Sequence, residues 1–253
     1  MKVAVCLSGI VRGQIAHNIQ RLKKVFPYDF FYGTYTEREE DLHWFLGMGN
    51  TDYFLFDEPK MHYHPITDVA EVYTQKLKSI KESMLKGEMQ KEVQKTQHHT
   101  KQILSHANML EQLWPDYDMI IRARWDTFIS HDVDFNYYLE KSYNENIAIG
   151  FGTRTSRHKD LDMLYEVPKL YPEKEKADVS QDWARYIMDP LIFHPRKLFD
   201  TKLAFKLHNE KKLLPAEVGW WQVLSEPTGG ENHLSVYGGA QIERFLSQTR
   251  YKR

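Results

Sequence analysis

Residues 117–127, YDMIIRARWDT, change within a few positions from an apolar run to a charged one. The apolar start predicts a buried β-strand, because short continuous apolar runs are typical of strands that are covered on both faces. Side chains alternate along a strand, so Arg122, Arg124 and Asp126 share one side and the residues between them share the other. The stretch therefore predicts a central strand that ends in two guanidinium groups and one carboxylate.

The chain before this stretch reads as strand, helix, strand. An apolar run over 3–7 is ended by Ser8-Gly9, and helical spacing of apolar residues follows over 14–25. Aromatic-rich segments at 29–35 and 53–56 predict two further strands. Strands that alternate with helices in this way are typical of a doubly wound α/β domain with a mostly parallel sheet.

The remaining segments extend the same pattern. We expect helices over 67–87, 96–114, 196–207 and 215–224, a helix from about residue 240, and strands over 146–150, 185–194 and 233–237. His106 lies on the second of these helices, where a surface or helix-packing position is favoured over metal binding because no acidic or thiol partner stands at ligand spacing. With no repeat and no linker, the sequence predicts a single domain.

Composition narrows the class of protein. The 253 residues carry a formal net charge of −1, which argues against a dedicated nucleic-acid binder, since phosphate binding needs a basic excess. Cys6 is the only cysteine, so no intramolecular disulfide forms, as suits a reducing compartment. No stretch approaches the ~18 apolar residues of a membrane span. We therefore expect a cytoplasmic protein with no membrane span and no nucleic-acid partner.

Two groups of residues are candidates for ligand binding. In open α/β sheets, ligands bind beyond the carboxyl ends of the strands, where Arg122, Arg124 and Asp126 stand. Guanidinium forks suit diphosphate oxygens, and an aspartate can hold a divalent ion that bridges them. Ser8 and Gly9, which end the first strand, allow a close approach of backbone to ligand, and Arg12 adds a phosphate contact. An internal Arg–Asp salt bridge explains the charged strand end equally well.

The motifs resemble a known family. The first strand followed by S-G-x-x-R, together with I-I-R-A-R-W-D, is similar to bacterial and viral glycosyltransferase-like proteins related to lipopolysaccharide-synthesis proteins of the WavE type. R-A-R-W-D stands where GT-A enzymes place their D-x-D motif for metal and nucleotide sugar. The segments D-P-L-I-F-H-P-R-K-L from Asp189 and P-A-E ending at Glu217 resemble later parts of the same group.

This resemblance implies a single GT-A-like, Rossmann-like domain over 1–253, with a nucleotide-binding part over about 1–130 and an acceptor part over about 131–253. It implies a nucleotide-sugar donor at the following residues: Ser8, Gly9, Arg12, Arg122, Arg124 and Asp126. The resemblance also implies an acceptor that is a glycan or a lipid-linked molecule, in polysaccharide biosynthesis. Mn²⁺ or Mg²⁺ at Asp126 is implied as well, although the motif has one acidic residue instead of two, so Arg124 is an alternative source of positive charge.

Asp189 and Glu217 are the candidate general bases, because an inverting sugar transfer needs a carboxylate that takes the acceptor proton. Each also has a structural explanation. Asp189 precedes Pro190 in a typical turn, and Glu217 lies in the first turn of a helix, where a carboxylate favours the helix dipole. Two other functions fit the same residues: a nucleotidyl or phosphoryl transferase, and a non-catalytic module that binds nucleotide or glycan.

Overall fold

The computed structural model describes residues 1–11, 15–36, 53–59, 100–113, 116–130, 132–152, 180–181, 187–210, 212–213, 216–230 and 232–242. Within these ranges the strands are β1 (Val3–Ser8), β2 (Asp29–Tyr35), β3 (Tyr53–Phe56), β4 (Met119–Ala123), β5 (Thr127–Ile129), β6 (Ala148–Gly152), β7 (Ser180–Gln181), β8 (Leu191–Pro195), β9 (His233–Tyr237) and β10 (Ala240–Ile242). The helices are α1 (Ile15–Val25), α2 (Thr100–Gln112), α3 (Phe135–Glu145), α4 (Thr201–Asn209) and α5 (Ala216–Leu224), with 3-10 turns at Arg196–Leu198 and Glu226–Thr228.

Eight of these strands form one mixed sheet in the order β3-β2-β1-β4-β8-β6-β9-β7. The pairings from β3 through β2 and β1 to β4 are parallel, and so is that of β6 with β9. The strand β8 runs antiparallel to both β4 and β6. This α/β sheet flanked by helices confirms the predicted fold class. A separate two-stranded ribbon pairs β5 with β10.

Alternation along the central strands divides the core into two layers. In β1, Val5 and Leu7 belong to the apolar cluster that contains Ile19 and Leu22 of α1. The intervening Cys6 belongs to the cluster on the opposite face, which is covered mainly by α2. Each fully buried aliphatic side chain contributes about 1.5–3 kcal/mol relative to exposure. Burial on both faces is the reason why β1 is a continuous apolar run instead of an alternating one.

Most of the predicted elements are present. The strands at 29–35, 53–56 and 233–237 have the predicted bounds, and those predicted over 146–150 and 185–194 lie at Ala148–Gly152 and Leu191–Pro195. His106 is fully buried, so of the two positions expected for it the structure shows the packed one. The helix predicted over 67–87 and Arg12 both lie outside the described residues.

One prediction is wrong, and sequence reasoning missed several elements, among them β5 and β7. Residues 240–242 are not the start of a helix: they form β10, because Ala240 and Ile242 pair antiparallel with Ile129 and Thr127. Sequence reasoning missed α3, whose first turn is capped by the Asp134 carboxylate accepting from the Tyr137 amide at 3.1 Å. No helix in the described ranges has the length and apolar composition to cross a membrane.

Candidate functional site

The end of β1 provides a sharp turn beside a buried hydroxyl. Ser8 is 2% exposed, and its Oγ has no hydrogen-bond partner among the described residues. Gly9 follows with φ +108°, a conformation that residues with a Cβ rarely adopt. Space is not the constraint, because the nearest atom to a Cβ there is Ser105 Oγ at 3.7 Å. The turn therefore requires glycine for its backbone and leaves one polar group beside the carboxyl edge of the sheet.

The end of β4 is a tight turn held from several sides. The Thr127 amide donates to the Arg124 carbonyl at 3.1 Å, and the Thr127 hydroxyl donates to the Pro190 carbonyl at 2.6 Å. Between them Trp125 donates from Nε1 to the Gly33 carbonyl at 3.2 Å. The strand thus stops at Ala123, and Arg124 and Asp126 belong to a fixed turn instead of an extended strand end.

Arg124 bridges two carboxylates in this turn. Its Nε and Nη2 donate to the two oxygens of Asp126 at 2.8 and 3.0 Å, and its Nη1 donates to Asp189 Oδ2 at 2.9 Å. The side chains of Arg124, Asp126 and Asp189 are 4%, 7% and 4% exposed. Burial by itself lowers the pKa of Arg124, but the two carboxylates outweigh it and raise that pKa above its ordinary value. The structure therefore contains the internal salt bridge that sequence reasoning left open.

Arg122, which lies in β4 two residues before Arg124, belongs to the same network. Its Nη1 donates to the Asp189 carbonyl, and its Nη2 donates to Gln102 Oε1 of α2 at 2.6 Å. Its guanidinium also lies over the Trp220 ring of α5, 4.7 Å from the centroid, a favourable cation–π distance. Arg122 is fully buried, so α2, α5 and the segment before β8 all fix its position.

Among the described residues, the charges of this network balance. Arg122 and Arg124 carry two positive charges, and Asp126 and Asp189 carry two negative ones, with each guanidinium bound to protein acceptors. Protein acceptors therefore already take up much of the hydrogen-bonding capacity of both arginines. The network is better suited to be a rigid floor below a ligand, with the Ser8 hydroxyl and the backbone of Gly9 at its edge.

The two carboxylates predicted as general bases, Asp189 and Glu217, lie in different surroundings. Asp189 is part of the network, because its Oδ2 accepts from Arg124 and its backbone carbonyl accepts from Arg122. Glu217 lies in the first turn of α5, three residues before Trp220, and its carbonyl accepts from the Ile187 amide at 3.0 Å. That bond ties the start of α5 to the segment that leads into Asp189.

The described residues do not fit a divalent metal at Asp126. Mg²⁺ and Mn²⁺ need open oxygen ligands in near-octahedral geometry, whereas both oxygens of Asp126 accept from Arg124. The residues that the structure describes also contain no group of three His, Cys, Asp or Glu side chains placed to hold a metal.

Sequence reasoning missed Gln102 as a partner of Arg122, and nothing in its sequence context marks it. It also did not connect Asp189 with Arg124, because 65 residues separate them along the chain. Trp220, by contrast, stands in a conspicuous Trp-Trp pair that fits either stacking on a sugar ring or packing in the core, and its ring is buried against Arg122.

Comparison with known proteins supports the fold. The chain matches 4-diphosphocytidyl-2C-methyl-D-erythritol synthase from Anaerococcus prevotii with a TM-score of 0.52 and 11% identity, over 100% of this chain and 99% of that one. The fold is GT-A-like. No family model matches the chain, and no curated protein matches it in sequence. The narrower resemblance to WavE-type proteins stays a prediction.

Two glycosyltransferase structures are also similar. Mouse xyloside xylosyltransferase 1 matches with a TM-score of 0.42 and 10% identity, over 92% of this chain and 83% of that one. The galactosyltransferase LgtC, solved with donor and acceptor sugar analogs, matches with a TM-score of 0.43 and 8% identity, over 87% of this chain and 68% of that one. In this chain, the pairing of β1 with β4 places the network at the edge of the sheet where these two parallel strands end.

Proposed function

We propose that this protein is a glycosyltransferase that moves a sugar from a nucleotide-diphosphate-sugar donor to a hydroxyl group of a glycan or lipid-linked acceptor. The observation that carries the proposal is the position of the buried Arg–Asp network beside the Ser8-Gly9 turn, at the carboxyl ends of β1 and β4. Ligands of open α/β sheets bind at this edge. Buried charged groups that are not needed for packing are favoured at functional sites.

The nucleotide lies against the end of β1 in this proposal, within residues of about 1–130. The Ser8 hydroxyl and the backbone at Gly9 contact the donor, and Arg12 supplies positive charge for the diphosphate. Arg122, Arg124 and Asp126 hold the shape of the floor below it. The part over about 131–253 binds the acceptor.

The transfer step needs a leaving group, a nucleophile and a base. The acceptor oxygen forms a bond to the anomeric carbon while the bond from that carbon to the diphosphate oxygen breaks. The electron pair of the broken bond leaves with the nucleoside diphosphate, and the acceptor proton passes to a carboxylate. Two carboxylates are the candidates for this role: Asp189 beside Arg124, and Glu217 at the start of α5.

Product analysis with conservative variants tests this function. We expect the wild type to release a nucleoside diphosphate from one nucleotide sugar, faster when an acceptor is present. Removal of the base by Asp189→Asn or Glu217→Gln should lower kcat by about 10²–10⁴-fold. Glu226→Gln, which changes an exposed glutamate in a 3-10 turn, is the matched control and should leave kcat unchanged. Release of nucleoside diphosphate that neither Asp189→Asn nor Glu217→Gln affects would contradict the assigned base.

A nucleotidyl transferase is the second candidate, and the similarity to a protein named for synthesis of a diphosphocytidyl compound favours it. Such an enzyme releases pyrophosphate from a nucleoside triphosphate, so the two functions give different products in the same assay. Nucleotide binding without either product would instead indicate a non-catalytic binding module.

A further inference from the structure

The position of Arg124 between two acidic side chains has a consequence for metal dependence. Asp126 and Asp189 are both nearly excluded from water, and a buried carboxylate needs a compensating positive charge. In many phosphate-binding sites a divalent ion provides that charge. Here one guanidinium provides it to both carboxylates, through three hydrogen bonds of 2.8–3.0 Å.

The surrounding backbone fixes this arrangement. The Arg124 amide donates both to the Thr127 hydroxyl oxygen, at 3.0 Å, and to the Pro190 carbonyl, at 3.3 Å. The two carboxylates therefore lie on segments that are already bound to each other, one after β4 and one before β8. Rotation of Asp126 toward a metal would break a two-bond fork, which is the strongest geometry an arginine and a carboxylate form.

A metal at Asp126 would also stand beside a buried guanidinium. Two positive groups within a few ångströms repel strongly where water is excluded. Arg122 adds a further positive charge at Asp189, because its Nη1 donates to the carbonyl of that residue. A cation that enters this cluster would meet two arginines and no open carboxylate pair.

We infer that Arg124 takes the place of a divalent ion in this site, so that the protein binds its nucleotide without a metal. The part of this inference that concerns the nucleotide rests on the proposed function. The part that concerns the metal rests on the described residues alone. Arg124 positions Asp126 and Asp189 and does not itself react with substrate.

Electron paramagnetic resonance of Mn²⁺ on the wild-type protein without nucleotide tests the metal directly. The account predicts that the wild type shows no stoichiometric Mn²⁺ binding that depends on Asp126. Arg124→Ala removes the guanidinium from both carboxylates, so this variant should bind Mn²⁺ at least about tenfold more tightly than the wild type. The same gain should appear as thermal stabilisation of the variant by Mn²⁺. The double variant with Asp126→Asn added should lose this gain.

The comparison of the wild type with Asp126→Asn does not need Arg124→Ala, so it decides the question even if Arg124→Ala does not fold. One Mn²⁺ per wild-type chain that Asp126→Asn abolishes would overturn the inference, and so would a folded Arg124→Ala protein that gains no Mn²⁺ binding. In a second arm, nucleotide-sugar affinity should be equal in Mn²⁺ and in EDTA. If no nucleotide binds in either condition, the proposed function fails, while the Mn²⁺ arm still tests the metal-free site.

Discussion

Two buried clusters of ionisable side chains lie close together in this protein. One is stabilised by pairing of opposite charges, and the other by remaining neutral. The first is the network around Arg124, where opposite charges pair. The second is formed by His106 of α2 and His194 of β8, both fully buried, with their Nε2 atoms 3.1 Å apart. The charged cluster lies at the end of β4, whereas the histidines lie deeper in the layer below α2.

The histidine pair is stable because it is neutral. His194 Nδ1 donates to the Pro195 carbonyl at 2.9 Å, so its Nε2 accepts the proton of His106 Nε2. Burial is the main cause that lowers the pKa of His194 to about 4. The hydrogen bond to the Pro195 carbonyl raises this pKa, whereas the positive charges of Arg196 and Arg122 lower it further. Burial also lowers the pKa of His106 well below its ordinary value.

The difference distinguishes a packed core from a site. Packing alone accounts for the neutral histidines, because His106 contacts the rings of Phe199 and Trp220. Four formal charges kept at the edge of a sheet cost more than apolar residues of the same volume would, so a function is the better explanation for them. The predictions below test this distinction.

The largest effect should come from removal of the central charge. Arg124→Ala leaves Asp126 and Asp189 buried without their shared partner, and breaking a buried pair costs about 3–5 kcal/mol. Urea denaturation should show this loss in the free energy of unfolding. Arg124→Lys keeps the charge but loses the fork, so its loss should be smaller. A loss for Arg124→Ala below about 1 kcal/mol would mean that the charges are not mutually dependent.

A smaller effect should come from acidification. Because the pKa of His194 is about 4 in the folded protein and about 6.5 in the unfolded chain, the unfolded chain binds more protons between these values. Stability is therefore full above pH 6.5 and falls as the pH drops, by about 2 kcal/mol at pH 5 from His194 alone. Thermal melts from pH 7.5 to pH 5 measure this.

The control for this pH dependence is the double substitution of His106 and His194 by leucine. It removes both titrating groups and should flatten the fall in melting temperature between pH 6.5 and pH 5. An unchanged slope would show that the histidines do not control acid stability, and the contrast with the charged cluster would be lost.

The smallest effect on stability should come from Gly9→Ala. Its φ of +108° makes an added Cβ unfavourable by about 1–2 kcal/mol. Gly229 offers a matched control, since its φ is +102° and no atom lies within 4 Å of a Cβ there. The two alanine variants should lose similar free energy of unfolding. A much larger loss for Gly9→Ala would mean that the space around it, and not its backbone, is restricted.

Sequence reasoning reached the fold because local patterns express it. The run from Val3 to Leu7 is apolar since both faces of β1 are covered, and the aromatic segments β2 and β3 fit the same explanation. It failed at residues 240–242 because a three-residue strand has no recognisable period, and its pairing with β5 is set by tertiary structure.

The site was predictable only in part. The residue types of Arg122, Arg124 and Asp126 and their place after an apolar strand were visible in the sequence. Their partners were not, because Asp189 and Gln102 meet them only through folding. Charge alone also could not show whether the arginines bind a ligand or a carboxylate, since the two roles require the same residue types.

The central claim is a nucleotide-sugar site at the carboxyl end of β1, and a thermal-shift panel tests it most directly. UDP-, GDP-, CMP- and dTDP-sugars would be added, in Mn²⁺ and in EDTA, to wild type, Gly9→Ala and Gly229→Ala. The account predicts that one nucleotide class raises the melting temperature of wild type and Gly229→Ala but not of Gly9→Ala. An equal rise in all three proteins, or no rise with any nucleotide, would contradict it.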